Sequence, residues 1–401
     1  MKKKITALFL AAAMTISLAA CGGSGSSNSG SDSANTGDST NTESTDTASG
    51  DSDMKVAMIT DYGDITDQSF NQTTYEACKA FSTDNGLDFT YYKPEGDSTA
   101  ERVAMIDKAI ADGYNVIVMP GFAFAEAITE TAETYPDVKF VALDVSEYDL
   151  EGDNSDFNNE TYDNVFSAVY QEEIPGYMAG YAAVKLGYKK LGFLGGMAVP
   201  AVIRYGSGFV QGADAAAKEL GLTDVEVKYA YGNQFFGDAD ITAAMDTWYQ
   251  GGTEVVFACG GGIFNSAGEA AEKVGGKVIG VDVDQAGTID EKFGKGTCVT
   301  SAMKGLRATV NTLLSAIKDG EWDSYAGQIQ NLGLVSPDDD SLNYVGLPVT
   351  TTQWKDGAFS KDDYYALMAD MANGKVKVDN DSSSEEPKAS TVKVDFQGNI
   401  K

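Results

Sequence analysis

The chain has 401 residues, 43% of them hydrophobic, enough for two domains with substantial cores. A formal net charge of −31 argues against nucleic acid as a partner, because phosphates would be repelled. There is no histidine, so chemistry that needs imidazole as base, nucleophile or zinc ligand is excluded.

The N-terminus reads as an export signal rather than as part of the fold. Lys2, Lys3 and Lys4 form a basic start, an apolar run follows from Ile5 to Ile16, and Leu18-Ala19-Ala20 leads into Cys21. Leu-Ala-Ala-Cys-Gly resembles the bacterial lipobox. That resemblance implies a signal peptide over 1–20, cleavage before Cys21, and diacylglycerol on the Cys21 thiol. Residues 22–53 are Gly, Ser, Asn, Thr and Asp with almost no large apolar side chain, so they are expected to stay a flexible tether. A coil of that length spans about 30 Å. No other stretch reaches the apolar length of a spanning helix, so the expected chain is anchored to the membrane and not embedded in it.

From Lys55 onward the pattern alternates. Strands are expected at 55–60, 88–92, 116–120 and 139–144, with helices at 69–82, 99–112 and 123–134 between them. The stretch 147–164 is acidic and irregular and reads as a surface loop before a strand at 165–169. The rhythm then repeats. Strands are expected at 190–195, 225–231, 255–259 and 277–282, and helices at 200–220, 238–250 and 263–274. Two such βαβ series imply two α/β lobes with parallel sheets and a cleft between them. The expected first lobe is 54–169 plus 303–325, and the second is 170–302 plus 326–378. A polar tail, 379–401, is expected to fray. Cys78, Cys259 and Cys298 read as small buried residues, with neither a disulfide framework nor metal-ligand spacing.

Ligands of parallel α/β sheets bind beyond the carboxyl ends of the strands. Three apolar runs end there on an aspartate: KVAMITD at Asp61, KFVALD at Asp144 and KVIGVD at Asp282. Each alone reads first as the start of a turn or a helix cap. Three at equivalent strand ends point to a polar ligand rich in hydroxyl or N–H donors. Ser69 and Gln72 have the spacing of a capping box, which leaves Phe70 unexplained at a helix start, with Asn71 beside it. Phe235 and Phe236 also stand between a strand and a helix. An aromatic from each lobe could close on a flat ligand, and a hydrophobic staple is the competing reading. Lys304 follows the strand-like CVTSAM, as either a partner for the carboxylates or a surface lysine. Three glycines in ACGGGIFN suggest backbone close to a ligand, without the pattern of a phosphate loop. Asp61, Asp64 and Asp67 lack calcium-loop spacing, and no metal or cofactor is expected.

In order, the lipobox, MITDYGDITDQSFNQTTYEA, VIVMPGFAF, KFVALD, LGFLGGM with RYGSGFVQGADAA, VIGVDVDQ and TSAMKGLRATV resemble the basic membrane protein family of substrate-binding lipoproteins. The resemblance spans about 55–378. It implies a class I periplasmic-binding-protein fold, with two Rossmann-like lobes on a hinge, and a non-enzymatic receptor. Such a receptor delivers a purine nucleoside to an ABC transporter permease from the outer face of the cell membrane. It also implies a monomer without cofactor. Carried over residue by residue, the site is Asp61, Phe70, Asn71, Asp144, Asp282 and Lys304, with Phe235 or Phe236 as the second stacking aromatic. Here the local GNQFFGD departs from the family's usual GSFxD. A sugar or small signal-molecule receptor of the same fold is the alternative, and an anchored nucleoside hydrolase or glycosidase a more distant one.

Overall fold

The computed structural model describes residues 53–61, 63–151 and 162–401. The expected signal peptide, Cys21 and nearly all of the tether lie outside the described residues, as does 152–161 of the acidic stretch.

The first lobe is built on β1 (Lys55–Ile59), β2 (Asp88–Tyr92), β3 (Val116–Pro120), β4 (Lys139–Leu143) and β5 (Val165–Tyr170). Around this sheet lie α1 (Phe70–Asn85), α2 (Thr99–Ala111), α3 (Ala125–Thr131) and α4 (Glu147–Glu151). The second lobe contains α5 (Glu173–Lys185), β6 (Lys190–Gly195), α6 (Pro200–Leu220), β7 (Glu226–Tyr231), α7 (Ala239–Gln250), β8 (Val255–Cys259), α8 (Phe264–Glu272), β9 (Lys277–Asp282), α9 (Ala286–Phe293) and β10 (Cys298–Lys304). The chain then returns to the first lobe with α10 (Leu306–Lys318), which packs on α1, and β11 (Gln328–Leu332). It ends in the second lobe with β12 (Val345–Gly346), α11 (Lys361–Ala372) and β13 (Lys393–Asn399).

One sheet runs β11-β5-β4-β3-β1-β2 and the other β12-β10-β9-β8-β6-β7-β13. All pairings are parallel except β10 with β12. The central strands are apolar throughout because helices cover both faces: β3 and β8 are buried at every position. Each such side chain contributes about 1.5–3 kcal/mol by leaving water. Helix ends follow local chemistry. Ser98 and Glu101 form a capping box on α2. Pro200 opens α6, and Gly221, at φ 66°, ends it.

The helices α5 and α6 cross with backbone against backbone. A Cβ on Gly180 would lie 1.9 Å from Phe209 O, and one on Gly212 would lie 2.0 Å from Tyr177 O. This close approach fixes Glu172 at the head of α5 relative to Arg204 and Tyr205 on α6.

Four sequence expectations need correction. Residues 147–151 form a helix instead of a loop, because Ser146 and Asp149 cap it reciprocally and Leu150 is buried. The lobe boundary at 325/326 is too early, since β11 pairs with β5 in the first sheet. The tail does not fray over 393–399. There β13 pairs with β7, and just before it Asp214 accepts the backbone N–H groups of Ser390, Thr391 and Val392. Ser69 does not cap α1, and its hydroxyl goes elsewhere, as described below. Cys78, Cys259 and Cys298 are buried free thiols, as their sequence setting implies.

Candidate functional site

A cavity of about 560 Å³ opens between the lobes beyond the carboxyl ends of the strands. Asp61, Phe70, Asn71, Asp144, Phe235, Phe236, Asp282 and Lys304 all line it. Sequence reasoning therefore collected side chains that the fold brings to one volume, although they come from both lobes.

The first-lobe rim is organised by Asp67. Its carboxylate accepts the N–H groups of Ser69 (2.9 Å), Asn71 (2.9 Å) and Gln72 (3.0 Å), so it caps α1. Burial pushes its pKa up to about 6, against those three hydrogen bonds. Asn71 donates its amide to Asp61 Oδ1 (2.9 Å), which also accepts Gly63 N–H. Two carboxylates thus fix the Nδ2 side of Asn71 and leave Oδ1 buried without a partner. Burial raises the Asp61 pKa, while the Gly63 and Asn71 hydrogen bonds oppose the rise. Asp64 pairs instead with Lys93 at 2.6 Å, so of the three aspartates only Asp61 and Asp67 meet, at the Asn71 amide.

The floor is ionic. Lys304 Nζ stands 2.5 Å from Asp144 Oδ2, 3.4 Å from Glu172 Oε1 and 3.9 Å from Asp282 Oδ1. Arg204 Nε donates to the other oxygen of Glu172 at 2.7 Å. Burial alone would lower the Lys304 pKa, but the three carboxylates raise it, so Lys304 stays charged. Three carboxylates face two cations, and burial with this crowding pushes Asp144 up to about 7. Asp282 is also raised, chiefly by burial. Asp144 Oδ1 and the Tyr205 hydroxyl are buried without partners. Both Asp144 (φ 62°) and Asp282 (φ 64°) hold a left-handed backbone, which costs a non-glycine residue about 1 kcal/mol or more and is concentrated at functional sites.

The aromatic elements differ in setting. Phe70 lies with its ring centroid 4.6 Å from Lys304 Nζ. Phe235 packs over Gly196 and Gly260, where any Cβ would collide with its ring. Phe236 is 59% exposed at the rim, bridged to Gly262. Gly261 and Gly262 line the cavity, as the glycine run implied.

A family model described as ABC transporter substrate-binding protein, PnrA-like (Bmp), matches residues 54–336. The chain belongs to the Bmp family. It is 29% identical over 350 residues to the ABC transporter nucleoside-binding protein BmpA of Lactococcus lactis, covering 82% of this chain and 89% of that one. It is 28% identical to a CD4+ T-cell-stimulating antigen of Listeria innocua, over 80% of this chain and 86% of that one. A solute-binding protein of an ABC transporter from Aeropyrum pernix has the same fold, with a TM-score of 0.61 at 22% identity, covering 82% of this chain and 88% of that structure. This Bmp protein is thus an ABC transporter substrate-binding protein with a periplasmic-binding-protein fold. Among the described residues no helix is long and apolar enough to cross a membrane.

Sequence reading missed Glu172, Arg204 and Tyr205, and gave Asp67 no role in the rim. The only signal was a pair of glutamates at a lobe crossing and one arginine in the otherwise uncharged first half of α6.

Proposed function

We propose that this Bmp protein, as a monomer, binds a purine nucleoside between its lobes and hands it unchanged to a permease. The observation that carries the reading is the pairing of an aromatic from each lobe, Phe70 and Phe235, with a floor of carboxylates around one lysine. A base stacked on these rings gains roughly 1–3 kcal/mol per aromatic. Of the two candidates, Phe235 is the stacking residue, since its ring is held by glycine backbone while Phe236 sits at the rim. Asp61 and Asn71 Oδ1 accept base N–H groups. Asp144, Asp282 and Lys304 take the ribose hydroxyls, and Asp144 Oδ1 offers an acceptor with no protein partner. The named nucleoside specificity of the Lactococcus relative agrees with this reading.

Titration calorimetry with guanosine, inosine, adenosine and ribose tests it. Heat from nucleosides and none from ribose is expected. Heat from ribose alone would replace the nucleoside with a sugar. Free base released on incubation would mean hydrolysis. We also propose that Cys21 carries the lipid anchor on the extracytoplasmic face, as in relatives named lipoproteins. A Cys21→Ser chain is then expected in the soluble fraction, and its retention in membranes would refute the anchor.

A further inference from the structure

We propose that Ser69 and Gln285 form a latch that joins the two lobes directly and sets how tightly the cleft holds its cargo. Ser69 Oγ, on the first lobe, donates to Asp282 Oδ2 of the second lobe at 2.6 Å, in a fully buried contact between residues 213 positions apart. Three residues after Asp282, Gln285 Nε2 donates to the backbone carbonyl of Gln68 at 2.9 Å. Gln285 is pinned from within its own lobe, because its Oε1 accepts Val281 N–H and its backbone N–H donates to Ser301 Oγ. A glutamine fixed at one end presents its other end to the opposite lobe at little entropic cost.

Local chemistry frees the serine for this contact. Asp67 takes over the cap of α1, so Ser69 Oγ has no obligation to the helix. The backbone on both sides of the contact is set in the left-handed region, at Gln68 (φ 58°) and Asp282 (φ 64°). Two such residues facing each other across a lobe boundary indicate a geometry that the surroundings enforce.

The latch is also a wall. Gln68, Asp282 and Lys304 line both the ligand cavity and a second groove of about 550 Å³ on the other side. Ser69 and Gln285 do not line the ligand cavity, so they act on the cargo through closure and not by touching it. Contacts made only when the lobes meet favour the closed form by their own free energy.

Small-angle X-ray scattering on the full chain tests this with Ser69→Ala, Gln285→Glu and a control, Thr352→Val, which loses a buried hydroxyl bonded only to Thr300 and Pro348 within the second lobe. Ser69→Ala removes the latch hydroxyl and leaves the α1 cap in place. Gln285→Glu keeps the acceptor for Val281 and removes the donor to Gln68. Both are expected to enlarge the radius of gyration, with wild-type thermal midpoints to within a few degrees, while Thr352→Val keeps the wild-type radius. A wild-type radius in Ser69→Ala and Gln285→Glu, or equal expansion in the control, overturns the latch. With guanosine as probe, dissociation from Ser69→Ala should be about tenfold faster, the scale of one buried hydrogen bond to a carboxylate. Absence of guanosine binding to the wild type would count against the nucleoside reading, and the scattering result would still decide the latch.

Discussion

The two lobes share one strand order over five strands but load their strand ends differently. Taking β1 with β6, β3 with β8 and β4 with β9, each pair occupies the same place in its sheet. After β4 and β9 the lobes agree, since each delivers an aspartate with φ near 60° to the cleft floor. After β1 and β6 they diverge. The first lobe ends in Asp61, held by Gly63 and Asn71, whereas the second ends in Gly195 and Gly196, with Phe235 filling the space. The first lobe therefore contributes most of the acceptors and the second a flat apolar surface. A twofold scaffold gives an asymmetric site by changing a few loop residues, because strand ends fix position and leave chemistry open.

Lys304 is where the two halves meet, and its removal should have the largest effect. Lys304→Met leaves Asp144, Glu172 and Asp282 facing one another with Arg204, bonded to Glu172, as the remaining cation of the cluster among the described residues. Breaking a buried ion cluster from one side typically costs about 3–5 kcal/mol. Lys93→Met, which loses a half-exposed pair with Asp64 inside the first lobe, should cost under about 1 kcal/mol. Urea unfolding of the two variants compares them. Equal losses would mean that the cross-lobe cluster is no more than a surface pair.

A smaller effect separates the lobes by pH. The second lobe has no counterpart to Asp67, because α6 opens with Val199 and Pro200. The Asp67 pKa is about 6 in the fold against an ordinary 3.8. The folded chain therefore takes up this proton first as pH falls, and stability rises between about pH 6 and 4. The gain is on the order of 3 kcal/mol, from a pKa of about 6 against 3.8 at about 1.36 kcal/mol per pH unit. Asp144, pushed up to about 7, adds a rise of the same sign that begins nearer neutrality. Urea midpoints from pH 7.5 to 4.5 should rise more in the wild type than in Asp67→Asn. Parallel curves would remove Asp67 from the explanation.

What the sequence revealed, and what it hid, follows from the range of each interaction. The strand-end aspartates were legible because an apolar run that stops on a carboxylate is a local signal, and topology does the rest. The role of Ser69 was not. A serine with glutamine three positions on satisfies a local capping pattern, yet Asp67 wins the cap and the serine serves a partner in the other lobe. Glu172 and Arg204 meet across a glycine-lined helix crossing that no spacing rule announces. KVDFQGN is too short and polar to read as a strand until β7 offers it an edge.

The finest distinction comes from two glycines at equivalent places. Gly121 follows β3 with φ 127°, and Gly260 follows β8 with φ 135°. Alanine at either site is strained by about 1–3 kcal/mol. The consequences then part. A Cβ at 121 would stand 2.2 Å from Asp61 Oδ2, while one at 260 would stand 2.8 Å from the Phe235 ring. Under the nucleoside reading, Gly121→Ala displaces an acceptor of base N–H groups, so it should change the ratio of inosine to adenosine affinity. The expected change is that of one hydrogen bond, about 0.5–1.5 kcal/mol. Gly260→Ala displaces a stacking surface that every base shares, so it should weaken both ligands alike and leave the ratio unchanged. Calorimetry with the two nucleosides on the two variants measures this directly. A ratio altered equally by both substitutions would mean that discrimination is spread over both lobes, and the division between an acceptor lobe and a stacking lobe would fall.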